Sequence, residues 1–232
     1  MTSRPIAFLD ADVLSAPMTR TLILVSAAHE DARFVFRWSR AVEAEADRHA
    51  RVGQTPVSSL RAALDWDSML VPDPTDNGTA PVWDTSPKDR HVLAAASTAR
   101  ARVVLTRNVA DFGLADLTRM DMVAVHPDAF LAATMSESMY VATLEQMSAA
   151  RTRAPNTPGA LHAALGAGHP LLHERMMSVY PEVDQLPTNE AAPSVVFRGE
   201  LCVLCGRHLE ASRQVLCSSC RVRTGASTPL GA

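Results

Sequence analysis

The chain has 232 residues, enough for one or two domains with a genuine core, and its composition is globular at 47% hydrophobic and 20% charged. It holds no run of about eighteen apolar residues and no basic leader followed by an apolar stretch, which sets aside membrane-spanning and secreted classes and leads us to expect a cytoplasmic protein. The net charge of −3 argues against a nonspecific nucleic-acid coat.

Residues 6–9 read as a short buried strand, with Asp10 and Asp12 at its end. A carboxylate at the end of a buried strand needs something to compensate its charge, and ligands of open α/β sheets sit beyond the strand C-terminal ends. Residues 19–28 follow as a helix and 33–37 as a second strand. Ser39 is a helix cap, and 40–52 the helix it starts. Val42, Glu45, Ala46 and His49 share one side of that helix. Glu43, Asp47 and Arg51 share another, which reads as solvated. Glu45 borders the apolar stripe and is the acid expected to face inward.

Residues 55–65 read as helix and 68–71 as a third strand. The stretch 72–87, rich in Pro, Asp, Gly and Thr, is a long loop with Trp83 as its anchor. A helix begins near Pro87, with Ser86 as its cap and proline at its first position. Asp89 lies in its first turn, three and four residues before the buried Val92 and Leu93. Residues 102–106 form a continuous β-branched and apolar run, the signature of a central parallel strand. It ends in Thr106, Arg107 and Asn108, with Asp111 just beyond. A short helix at 114–117, a strand at 121–125 and a helix capped by His126 and running to 134 complete the pattern.

This order describes an α/β fold, a three-layer αβα domain on a parallel sheet over residues 4–134. Asp10, Glu45, Asp89 and Asp111 are expected to meet in one divalent-metal pocket. Any single one of the 25 acids would otherwise be a solvated surface group.

Beyond residue 134 the pattern is helical. Residues 136–150 carry Met139, Tyr140, Thr143, Leu144 and Met147 at helical spacing, and 161–165 and 169–179 are shorter candidates, making a helical extension over 135–180. Met135, Met139, Met147, Met176 and Met177 fill a small core or line a partner-binding surface. Residues 181–197, with Pro181, Pro187 and Pro193, read as a linker.

All four cysteines fall in the last module, residues 198–223. Cys202, Cys205, Cys217 and Cys220 form two CxxC knuckles eleven residues apart. Four thiolates suit tetrahedral zinc, and so short a segment cannot bury a core of its own, so the metal would supply much of its folding energy. Redox dithiols or an iron–sulfur site are the alternatives. An open catalytic zinc is not expected, since all four positions are filled; His208 is a spare ligand. Arg198, Arg207, Arg213, Arg221 and Arg223 against Glu200 and Glu210 make this module basic, so its arginines are candidates for phosphate contacts.

The segments IAFLDADVL, RWSRAVEAEADR, SPKDRHVLAAA, RVVLTRNVADF and VAVHPDAFL, in that order, resemble the successive motifs of PIN-domain proteins, the endoribonuclease fold shared by VapC-type toxins. The resemblance covers residues 4–134. It implies that Asp10, Glu45, Asp89 and Asp111 are the acids of a Mg²⁺ (or Mn²⁺) site, with Asp10, Asp89 and Asp111 as metal ligands. The family's fourth acid falls on Asn108, which removes a charge; Asp12, where many members have Asn, restores part of it. Thr106 and Asn108 would position the scissile phosphate or the attacking water. The implied activity is metal-dependent hydrolysis of RNA, leaving 5′-phosphate and 3′-hydroxyl ends. The resemblance also implies an antitoxin protein as partner and leaves a homodimer open. A non-catalytic PIN scaffold that binds RNA or protein with its zinc module, a DNA-directed nuclease and an unrelated αβα phosphatase are the competing readings.

Overall fold

The structure, a computed structural model, describes residues 4–74, 84–183, 195–210 and 214–224; Trp83, Pro187, Pro193 and Arg213 lie outside them. The chain opens with β1 (Ile6–Leu9), whose last three residues are fully buried, and turns at once into α1 (Ala11–Leu14) and α2 (Pro17–Ser26). Proline at the first position of α2 starts that helix earlier than the sequence pattern placed it. β2 (Val35–Ser39) runs two residues beyond the expected strand, because Ser39 both ends it and caps α3 (Arg40–Arg48) through a bond from the Val42 amide. Then come α4 (Val57–Ala63), β3 (Leu70–Val71), α5 (Arg90–Thr98), β4 (Val103–Leu105), α6 (Leu114–Arg119) and β5 (Val123–Val125).

Together with β6 (Phe197–Arg198), these strands make a six-stranded sheet of order β3-β2-β1-β4-β5-β6. The first five are parallel, with Phe8 opposite Arg37 on one side and Val104 on the other. The strand order reverses direction at β1, so a crevice opens beyond its end and that of β4, where α/β folds hold ligands. β1, β4 and β5 are completely buried apart from Ile6, which explains their unbroken apolar runs.

The trio read as solvated is a correction. Glu43 is buried, taking hydrogen bonds from Trp38 Nε1 (3.0 Å) and Arg61 (2.9 Å). Half-buried Asp47 accepts the Val57 and Ser58 amides and the Ser58 hydroxyl. Both acids fasten α4 to α3, leaving Arg51 as the exposed member.

α7 (Pro127–Thr134) follows β5, and the helical extension continues as α8 (Glu137–Ala149), α9 (Pro158–Gly166) and α10 (Pro170–Met176). α7 starts under the cap of His126, whose Nδ1 accepts the Asp128 amide. Asp128 in turn accepts the Leu171 and Leu172 amides at 3.0 and 2.9 Å, satisfying open donors at the start of α10. Met139, Tyr140, Thr143, Leu144 and Met147 are the buried face of α8. Met135 and Met176 are also core, whereas Met177 is half exposed. Inside this layer the imidazoles of His162 and His173 stack 4.1 Å apart, and the Tyr140 hydroxyl meets His162 Nδ1 at 2.8 Å.

The last strand, β6 (Phe197–Arg198), pairs antiparallel with β5 and leads into the cysteine module, which ends in α11 (Ser218–Thr224). The module is therefore attached to the sheet. Gly199 carries φ +143°, and a Cβ there would stand 2.5 Å from Val123 Cγ1, so only glycine lets the chain leave β6 this closely. No helix among the described residues is long and apolar enough to cross a membrane.

Candidate functional site

At the crevice, Asp10 ends β1 and caps α1: its Oδ1 accepts the Ala11 amide at 2.6 Å, while its own amide donates to Leu105 at the end of β4. Burial pushes its carboxyl up to about 6, with the charges of Asp89 and Glu45 adding to the rise; hydrogen bonds from Thr106 and Ala11 oppose it. Asp89 stands at the start of α5 and is nine-tenths buried, yet its side chain makes no capping bond. Its Oδ2 has no hydrogen-bond partner. Burial raises its carboxyl too, with Asp111 and Glu45 contributing, against Lys88 and His91.

Glu45 and Asp111 complete the set with about a third of each side chain exposed. Glu45 reaches His91 Nε2 at 3.1 Å, and Asp111 meets Lys88 Nζ at 2.8 Å. Lys88 lies 3.9 Å from Asp89 as well. The four acids picked out in the sequence thus act on one another electrostatically from four separate segments. A buried carboxylate oxygen without a donor, amid other carboxylates, is the environment a hard cation satisfies. Asp10, Asp89 and Asp111 are the residues that could hold such an ion, with the charge of Glu45 acting on Asp10 and Asp89.

Sequence reasoning underrated Asp12. Its Oδ2 accepts the Arg107 amide (2.9 Å), the Thr106 hydroxyl (3.3 Å) and the Asn108 side-chain amide (3.1 Å). Burial, then Asp10, push its carboxyl up to about 8. Asp12 therefore ties the loop after β4 to the end of β1, and Asn108 spends its amide nitrogen on that tie. Thr106 is fully buried and also accepts the Asn108 amide. Lys88 and His91 went unassigned in the sequence; their only signal was adjacency to Asp89.

The cysteines form the second centre. Among the described residues, Cys202, Cys205, Cys217 and Cys220 are the group of potential ligands whose donor atoms all lie within 4.8 Å of one another; no three acids reach that spacing. The Cys205 and Cys217 sulfurs are 3.6 Å apart and no disulfide forms, close to the ~3.8 Å edge of a tetrahedron with zinc–sulfur bonds of about 2.3 Å. Burial raises the Cys220 thiol to about 12 and opposes the neighbouring amide and thiols that bring Cys217 down to about 7. Four crowded sulfurs with such divided acidities fit a thiophilic cation. His208 is exposed and outside the group.

A curated relative from Mycobacterium tuberculosis is 36% identical over 96 residues, which is 40% of this chain and 57% of the relative. That relative is named "Putative ribonuclease VapC50". The chain spans little more than half its length, so the similarity points toward VapC ribonucleases at the level of the family. No protein-family model and no solved structure matches the chain.

Proposed function

We propose that this protein is a Mg²⁺- or Mn²⁺-dependent endoribonuclease, and that it serves as the toxin of a toxin–antitoxin pair in the cytoplasm. The observation that carries the reading is the buried Asp89 oxygen that no hydrogen-bond donor reaches, on a carboxylate coupled electrostatically to Asp10, Glu45 and Asp111. The similarity to a named ribonuclease supports the choice of RNA as substrate.

Asp10, Asp89 and Asp111 would hold the ion, which supplies Lewis acidity toward the phosphate and a more acidic bound water. The chain's own residues do the rest. Asp12 fixes the backbone of Arg107 and the side chains of Thr106 and Asn108, so that the loop after β4 presents a settled edge to the phosphodiester. Glu45, held by His91, supplies a carboxylate able to accept a proton from the incoming water. Burial around Asp10 keeps bulk water from screening these charges.

A non-catalytic scaffold is the second reading, favoured by Asn108 in place of an acid and by Lys88 already lodged against Asp111. The zinc module, residues 198–223, is structural in both readings.

The test is cleavage of a panel of structured RNAs, and of DNA of the same sequences, with circular dichroism as the folding control. Asp10→Asn and Asp89→Asn are each expected to abolish Mg²⁺-dependent RNA cleavage with the fold intact. Full activity in either variant removes the assignment.

A further inference from the structure

Asp111 is the acid with the least regular support, because it sits on a single 3₁₀ turn (Val109–Asp111) instead of a strand or α-helix. Three consecutive carbonyls, two in that turn and one just after it, are nevertheless taken. Asp111 O accepts the Ser86 amide at 2.8 Å. The carbonyls on either side, Ala110 and Phe112, both accept Arg198 Nη1, at 3.1 and 2.9 Å. A guanidinium bridging the carbonyls before and after that of Asp111 restrains the backbone from which its side chain projects.

Arg198, at the head of the cysteine module, is held in turn by the sheet. As part of β6 it pairs with Ala124 of β5. The next residue, Gly199, is pressed on Val123, and Cys202 lies three residues further on. A second tie, from Arg102 Nη1 to the Leu204 carbonyl (3.3 Å), secures the first knuckle, and Gly206 rests against the same guanidinium. Arg198 donates to backbone oxygens, which is not the disposition of a side chain waiting for a phosphate.

We propose that Arg198 is a positioning residue of the acidic site: it clamps the Asp111 turn, and the four-cysteine module thereby completes the site instead of acting as a separate nucleic-acid-binding appendage. Its kinetic consequence rests on the nuclease reading above; the clamp itself does not.

The experiment compares the full chain with Arg198→Ala and Arg198→Lys, after native mass spectrometry and circular dichroism have established that each keeps its zinc content and fold. Hydrogen exchange is read at the Ser86 amide, bonded to Asp111, with the Asp10 amide, bonded to Leu105, as control. In Arg198→Ala, Ser86 is expected to exchange faster while Asp10 is unchanged, and Arg198→Lys, still a cation able to donate to a carbonyl, to recover part of the protection. RNA cleavage in Arg198→Ala should lose about 10- to 100-fold in kcat, with KM within about two-fold and an unaltered salt dependence. Unchanged Ser86 exchange overturns the proposal, as does a raised KM with a shallower salt slope, which is the mark of a phosphate contact. If the wild-type chain cleaves no RNA while Ser86 still loses protection in Arg198→Ala, the nuclease reading fails and the clamp stands.

Discussion

The carboxylate of Asp12 receives the amide of Arg107 at 2.9 Å, joining positions 95 residues apart at the mouth of the crevice. Without that acceptor the bonds that the Arg107 amide and the buried Thr106 hydroxyl make to Asp12 are lost. Asp12→Ala should therefore accelerate hydrogen exchange at Arg107 and lower RNA cleavage by about 100-fold, with an unchanged circular dichroism spectrum. Retained protection at Arg107 would show that the loop is held by something else.

Lys88 competes with any cation at the acids, since its ammonium lies 2.8 Å from Asp111 and 3.9 Å from Asp89. Exposed pairs of this kind are worth about 0.2–1 kcal/mol, so Lys88→Ala should bind Mn²⁺ roughly two- to five-fold more tightly. A titration followed by electron paramagnetic resonance reads this directly. Weaker binding in the variant would place Lys88 among the groups that build the site.

The cysteine module predicts one zinc per chain by native mass spectrometry, lost when Cys202 and Cys217 are both replaced by serine. Metal and fold are coupled in a segment this small. The doubly substituted chain should therefore lose amide protection through the module, including the Val203 amide bonded to Val215. A zinc-free chain with full protection there would make the module metal-independent.

Burial holds His126 and His162 down near 4 and His169 near 3. These imidazoles stay neutral in the folded state while the unfolded chain takes up protons below about 6.5. Their contribution to stability is complete above pH 6.5 and is lost as the pH falls toward 4. Asp128, raised by burial to about 6, has the opposite sign: its contribution is complete below about 3.8 and lost as the pH rises through 6. The comparison is accordingly between wild type and His162→Gln in urea, from pH 6.5 to 4.5. The variant should lose less stability on acidification, by about 1.4 kcal/mol per pH unit. Parallel curves would mean that His162 is protonated in the folded state.

The sheet was legible because its strands are fully buried and read as unbroken apolar runs: Ile6–Leu9, Val103–Leu105 and Val123–Val125 all fall where the pattern put them. Asp10 and Asp111 stood out because each follows such a strand, Asp89 because it opens a helix, and Glu45 because it borders a helix's apolar stripe. Glu43 and Asp47 were misread because helical periodicity treats a carboxylate as solvated, while their partners Trp38, Arg61 and Ser58 arrive from other elements. β6 left no trace, since two residues cannot show an alternation. Lys88 and Arg198 were opaque for the same reason as Asp12: their roles are set by backbone and side-chain groups distant in sequence.

The antiparallel strand laid along β5 has a bearing on self-association. It becomes the outer strand of that flank, two residues long, with β3, also two residues long, as the opposite margin among the described residues. So short a rim offers a neighbouring molecule almost no ladder to extend. Among the described residues, two copies of this chain find little strand edge along which to continue the sheet from one subunit into the next.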